Sequence, residues 1–217
     1  MVIMALDHTR DYFHYDSFFI DPTDPEKTTF ILYFTRWITH FCAPAFSLLA
    51  GISAFLVGRR KSKKELSLFL LSRGLWLIFI EFTIVNFGWK FDIYFSTFYL
   101  LVIWSLGISM IFLAALIHQK LNQILIASLI TIFGHNLLDG LTVKDNFLFA
   151  VIHQMEAFEF FSDTTVRVVY PIIPWIGVMS LGYYLGSFYG KNVDPQKRQL
   201  TFTVVECWLY YYLSSSV

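Results

Sequence analysis

The stretch MALDHTRDYFHYD (residues 4–16) gathers Asp7, His8, Asp11 and His14 directly after an apolar run. A histidine beside an aspartate can act as a general base, because the carboxylate fixes the imidazole tautomer and stabilises the imidazolium that forms. In a helix Asp7, Asp11 and His14 fall at i, i+4, i+7, and His8 and Asp11 at i, i+3, so each set projects from one face. Arg36 with His40, and His135 with Asp139, are further i, i+4 pairs, with Asn136 beside the second. An arginine among apolar residues can hold phosphate, sulfate or carboxylate. General base plus anion clamp suits acyl transfer to an amine or hydroxyl, and equally suits proton-coupled movement of an anion. No GxSxG, HExxH, GxxxxGK[ST] or GxGxxG occurs, so a serine nucleophile, a hydrolytic metal and a phosphate-cradling loop lack support. Cys42 and Cys207 form neither a disulfide framework nor a metal-ligand spacing, and no metal is expected.

The elements that must position these groups are membrane helices. The 217 residues are 56% hydrophobic and only 15% charged, with a mean hydropathy of +0.58, a balance that fits a polytopic membrane protein. The net charge is zero, so no nucleic-acid partner is expected. With no linker to divide it, residues 1–217 read as one all-α transmembrane bundle of six to seven segments. Runs able to cross a hydrocarbon core of ~30 Å fall at 29–58, 66–89, 95–118, 121–139 and 166–189, with an incomplete one near 200. Ser62-Lys-Lys-Glu65 has capping-box spacing before the run at 66–89. Gly182, Gly186 and Gly190 recur every fourth residue, the spacing that lets membrane helices approach closely, although incidental glycines in aromatic packing would look the same.

Basic residues set the orientation. Nine fall in alternate loops (Arg59, Arg60, Lys61, Lys63, Lys64; Lys120; Lys191, Lys197, Arg198) against three (Lys27, Lys90, Lys144) in the others. The first set is expected to be cytoplasmic. Asp7, His8, Asp11 and His14 then lie toward the outer end of the first helix, Arg36, His40 and Glu81 in the outer halves of the next two. His135, Asn136 and Asp139 end the fifth helix and Arg167 opens the sixth, so five helices deliver polar groups to one extracytoplasmic layer. Buried charge in a membrane usually pairs inside the bundle and marks a functional pathway. Asp139, Arg167 and His14 are near enough to helix ends to reach water by snorkelling, and His118 and His153 read as ordinary loop or helix-end residues. Six residues before Asp7 rise only ~9 Å as a helix, and the run from 200 stops abruptly, so the chain reads as truncated at both ends.

Five stretches carry a resemblance: MALDHTRDYF (4–13), FTRWITHFCAPAFSLLAGISAFL (34–56), VIWSLGISMI (102–111), GHNLLD (134–139) and YPIIPWIGVMSLGYYLG (170–186). In this order they resemble landmarks of a bacterial membrane-protein family related to the catalytic domain of heparan-α-glucosaminide N-acetyltransferase. PAFSLLAG and PIIPWIG are the most specific. The resemblance implies a transmembrane acyltransferase in the bacterial plasma membrane, of about ten helices when whole. It would move an acetyl group from cytoplasmic acetyl-CoA to an extracytoplasmic sugar amine or hydroxyl, and the fragment as given could be inactive. In that family a histidine near the outer end of the first helix is central. His8 and His14 both fit, and His8 is favoured because Asp7 and Asp11 flank it. Arg36, His40, Glu81, His135, Asn136, Asp139 and Arg167 would bind substrate. The alternatives are a transporter for a small anion or sugar, against which no internal repeat is found, and a haem protein using His8, His40 and His135.

Overall fold

The computed structural model describes residues 2–13, 29–141, 143–160, 164–189 and 203. His14, Gly190, the basic residues at 191–198 and the segment expected near 200 lie outside them. The chain forms two compact units, Met1–Phe46 with Phe188–Val217, and Ser47–Ser187.

In the first unit α1 (Val2–Phe13) packs on α2 (Phe30–His40). The run expected as one helix over 29–58 breaks at Phe41, and α3 follows as Cys42–Gly58. Pro44 explains the break. It has no N–H to donate to the carbonyl four residues back, but it is tolerated in a helix's first turn.

The second unit holds the rest of α3, then α4 (Lys63–Ile80), a π-helical turn Glu81–Val85, and α5 (Asn86–Lys90). After strand β1 (Thr97–Leu100) come α6 (Val102–Leu116), α7 (Leu121–Gly134), a 3₁₀ turn His135–Leu138 and α8 (Phe147–Ile152). Strands β2 (Glu156–Phe160) and β3 (Thr164–Val168) precede α9 (Ile173–Gly186). The expected capping box starts α4: the Ser62 amide donates to Glu65 Oε2 at 2.8 Å, and the Glu65 amide donates to Ser62 Oγ at 3.3 Å. Among the described residues Tyr33–Gly58, Lys63–Lys90 and Leu121–Leu138 are long and apolar enough to cross a membrane, and Val102–Leu116 is a shorter apolar helix.

Inside this unit α4 packs on α6, and α9 packs on both α6 and α7. Nine of the fourteen residues of α9 are buried, whereas α4 buries only Leu66, Leu70 and Gly74. The core joins Leu66 and Leu70 to Leu113, Ala114, Ile117, Ile124 and Met179. Lipid removes most of the hydrophobic drive for helices to associate, so close packing and interhelical hydrogen bonds carry the assembly. Ser67 Oγ donates to the Ala114 carbonyl at 2.8 Å. Gly74 and Gly107 face each other across α4 and α6, while Gly51 and Gly182 do so across α3 and α9. Gly186 lies against Phe55, so the expected small-residue stripe is in use at two of its three positions.

The sheet corrects the all-helical expectation. Its order is β1-β3-β2, with β1 and β3 parallel and β2 and β3 antiparallel. Thr97-Phe-Tyr-Leu100 and Thr164-Thr-Val-Arg-Val168 are rich in β-branched and aromatic residues, which suit a pleated surface, but they adjoin apolar helical runs, and hydropathy does not separate them from helix ends. Arg167 therefore does not open the sixth helix. It stands exposed in β3, in register with Tyr99 and Ala157. Pro171 and Pro174 set the later start of α9 at Ile173. Beneath the sheet Leu100, Ala150 and Val168 form a second small core.

The loop before β1 is organised by Asp92. Its carboxylate accepts from the Ser96 hydroxyl at 2.5 Å, the Ser96 amide at 2.8 Å and the Tyr94 amide at 2.9 Å. The Ser96 hydroxyl, then the Ser96 and Tyr94 amides, hold its pKa below the ordinary aspartate range, with a smaller contribution from Lys90. A depressed folded pKa means that this support is present above the ordinary value and lost as pH falls through the depressed one. Amide exchange at Tyr94 and Ser96, corrected for intrinsic rate, is therefore expected to accelerate on the acid side of the aspartate range. In Asp92→Ala it should be fast throughout. Equal protection in parent and variant near neutrality would refute the assignment.

Candidate functional site

Two polar clusters of the Ser47–Ser187 unit bear on function: one where α4 and β1 end and α6 begins, the other past the end of α7. Glu81 is fully buried and opens the π-helical turn. Its Oε1 accepts from the Leu101 amide at 2.9 Å and its Oε2 from the Trp104 amide at 3.2 Å. These are orphan donors at the start of α6, and a carboxylate also favours the positive end of that helix. Glu81 thus serves as a distant N-cap. Asn86, five residues on, is its companion: Nδ2 donates to the Glu81 carbonyl at 2.7 Å and the Tyr99 carbonyl at 3.1 Å, and Oδ1 accepts from the Tyr99 amide at 2.5 Å. The π-helical turn gives the pair its reach, since a widened turn brings residues five apart onto one face. Its charge within an apolar run singled out Glu81 in the sequence, which gave no signal for Asn86.

A second cluster lies past the end of α7. His135 Nδ1 is 3.1 Å from the Ile132 carbonyl, an acceptor, so this nitrogen carries the proton. The His135 ring meets His153 edge-on with centroids 5.8 Å apart, and Phe149 meets His153 at 5.6 Å. His153 Nε2 lies 3.2 Å from Asp139 Oδ1. Of the expected residues, this brings His135 and Asp139 together around a histidine that spacing had not singled out. Asp139 and His153 are fourteen positions apart and meet only because the chain turns back at α8. Asn136 is exposed on the same turn.

The backbone of His153 is well fixed. Asn146 caps α8 by accepting from the Phe149 amide at 3.0 Å, and the Ile172 amide donates to the Val151 carbonyl at 2.9 Å. Gln154 Nε2 donates to Glu156 Oε2 at 2.7 Å and the Val143 carbonyl at 2.9 Å.

In the first unit α1 carries His8, half-buried, with positions 7 and 11 on the same helix, while α2 carries position 36 and ends at the exposed His40. At the opposite end of the second unit, Lys63 Nζ donates to the His118 carbonyl at 3.4 Å and ties the basic α3–α4 loop to the α6–α7 loop. Among the described residues no three His, Cys, Asp or Glu side chains are placed to hold a metal ion.

Long apolar helices packed through glycine crossings define an integral membrane protein. Residues 1–211 match the sequence profile of the family described as heparan-alpha-glucosaminide N-acetyltransferase, catalytic, and the chain belongs to that family. It is a membrane acetyltransferase family that uses acetyl-CoA as donor. No curated protein and no solved structure matches the chain.

Proposed function

We propose that this protein transfers an acetyl group from cytoplasmic acetyl-CoA to an amine or hydroxyl of a sugar outside the bacterial plasma membrane. Family membership over residues 1–211 carries this reading. The positive-inside distribution of lysine and arginine supports the orientation, and the tie between the two basic loops agrees with it. His8 is the general base, oriented by Asp7 or Asp11 from the same helix. It removes the proton of the attacking amine or hydroxyl as that atom bonds to the thioester carbonyl. The C–S bond then breaks, coenzyme A leaves as thiolate, and the imidazolium returns the proton to sulfur. Arg36 and His40 shape the acceptor or acyl pocket. Glu81 contributes by holding α6, and His135, Asn136, Asp139 and Arg167 face the acceptor side.

The test is transfer of label from acetyl-labelled acetyl-CoA in membranes carrying the full chain, with glucosamine and hydroxylated glycans offered. Label is expected on an acceptor and is expected to fall at least 100-fold in His8→Ala, as loss of a general base implies (about 10²–10⁴-fold). Loss confined to His14→Ala would move the base to His14. A well-folded protein that labels no acceptor would defeat the proposal.

A further inference from the structure

Arg73 lies in the first half of the span Lys63–Lys90, and its side chain is exposed. The side of α4 away from the core also exposes Leu68, Leu75 and Trp76, so in a membrane this surface meets lipid. A charge there is costly unless its long side chain reaches the headgroup layer. Arg73 takes that route. Its Cζ sits 5.0 Å from the centroid of the Phe69 ring, one helical turn back toward the start of α4. Side chains on a helix lean toward its N-terminus, and here that lean is toward the basic α3–α4 loop. From the loop Lys61 brings its Nζ to 5.9 Å from the same ring. One aromatic ring thus gathers two cations. Each is attracted to the ring face, but they repel one another, and strongly where little water screens them. Among the described residues no carboxylate lies within ion-pair distance of either. Glu65, the one acid between positions 59 and 73, is engaged elsewhere: its Oε2 accepts from the Ser62 amide at 2.8 Å and the Ser62 hydroxyl at 2.9 Å. It attracts Lys61 only from beyond ion-pair distance.

An anion beside both cations would relieve their repulsion. Phosphate suits the two, since guanidinium binds it through paired N–H groups and ammonium binds it as a point charge. We propose that Lys61, Phe69 and Arg73 form a binding site for the phosphate of an anionic phospholipid. Its acyl chains run along the outward face of α4, past Trp76. A lipid is the source of the phosphate because Arg73 stands among exposed apolar side chains of a membrane span, a surface that soluble ions do not share. Basic clusters flanking a membrane helix attract anionic headgroups in general, and here the ring fixes where the headgroup is held. Lys63 is turned to other work, its Nζ donating to the His118 carbonyl. The site stands whether or not the protein transfers acetyl groups.

The probe is phosphatidylglycerol, with zwitterionic phosphatidylcholine of the same acyl chains as its counterpart, titrated into the delipidated full chain in detergent. Native mass spectrometry counts the bound lipids and gives the affinity of each. Phosphatidylglycerol is expected as one discrete adduct per chain, clearly tighter than phosphatidylcholine. Arg73→Gln should weaken it about tenfold, as loss of a charge-assisted pair implies, and Lys61→Gln about fivefold. Phe69→Leu keeps both charges but frees them from the ring, and should also weaken binding. Arg60→Gln is the control: it removes one charge from the same loop, and no contact with the Phe69 ring is lost, so the adduct should persist. Equal affinity for the two lipids overturns the proposal. So does equal loss in Arg60→Gln and Arg73→Gln, which would mean diffuse attraction to the loop. A last arm adds coenzyme A, which also carries phosphate. It should leave the lipid adduct in place and bind parent and Arg73→Gln alike. Displacement of the lipid by coenzyme A, with coenzyme A bound more weakly by Arg73→Gln, would hand the site to a soluble phosphate and overturn the lipid assignment.

Discussion

Gly182→Ala is expected to lower the thermal stability of the solubilised protein sharply, and Gly182→Leu to leave little folded material. A β-carbon at Gly182 would lie 2.1 Å from the Leu48 carbonyl oxygen, and one at Gly51 would lie 2.0 Å from the Met179 carbonyl oxygen. Both obstacles are backbone, so no side-chain rotation relieves them and the helices must separate. Overpacking of a well-filled interior costs typically about 1–3 kcal/mol, and parting two helices also forfeits the contacts flanking the crossing. Neither glycine has a positive φ, so what they supply is proximity and not an unusual torsion. Gly134 is the control. Nothing lies within 4 Å of a β-carbon there, and Gly134→Ala should be neutral or slightly stabilising through reduced backbone entropy. Thermal unfolding of the three variants in one detergent decides the matter. A Gly182→Ala protein as stable as the parent would mean that α3 and α9 do not cross at this distance.

The second large effect is expected at Glu81. Glu81→Ala removes the acceptor from the Leu101 and Trp104 amides at the start of α6 and leaves both in a region with little water to replace it. Each unmet buried donor costs about 1–3 kcal/mol, so the two together rival the cost of a core cavity. Glu81→Gln keeps one carbonyl oxygen and should fall between parent and alanine. The local readout is hydrogen exchange, with protection lost first at residues 101–104. If Glu81→Ala left both stability and that protection unchanged, Glu81 would have to be reassigned from anchoring α6 to another role.

Local chemistry made several elements legible. Ser62 and Glu65 announce the start of α4 within four residues, and the apolar runs at 66–89 and 121–139 correspond to Lys63–Lys90 and Leu121–Leu138. Gly182 and Gly186 at four-residue spacing pointed to a close crossing, and their neighbours on α3 bear it out. Partners distant in the chain were not legible. Strands β1 and β3 pair across some seventy residues, and each adjoins an apolar run, so hydropathy merges strand with helix. Arg167 was misplaced for that reason. The i, i+4 relation of His135 and Asp139 was visible because a helix encodes it. His153 joins them only through the turn at α8, which no periodicity announces. Asn86 was silent because its usefulness depends on a π-helical turn that the sequence does not mark.

That widened turn also makes the segment between Glu81 and Asn86 a phase gauge. One residue more between positions 82 and 85, wound as ordinary helix, would turn everything beyond by about 100° and advance it by about 1.5 Å. Glu81 would still reach α6, but the Asn86 side chain would swing off β1. One residue fewer would instead leave Glu81 and Asn86 four apart on one face of an ordinary α-helix. Such an insertion therefore acts as a frame error in three dimensions, uncoupling sheet from bundle while leaving composition and hydropathy almost untouched. Changes of residue type at 82–85 have no such leverage, because the spacing, and not the side chains, holds the two anchors in step.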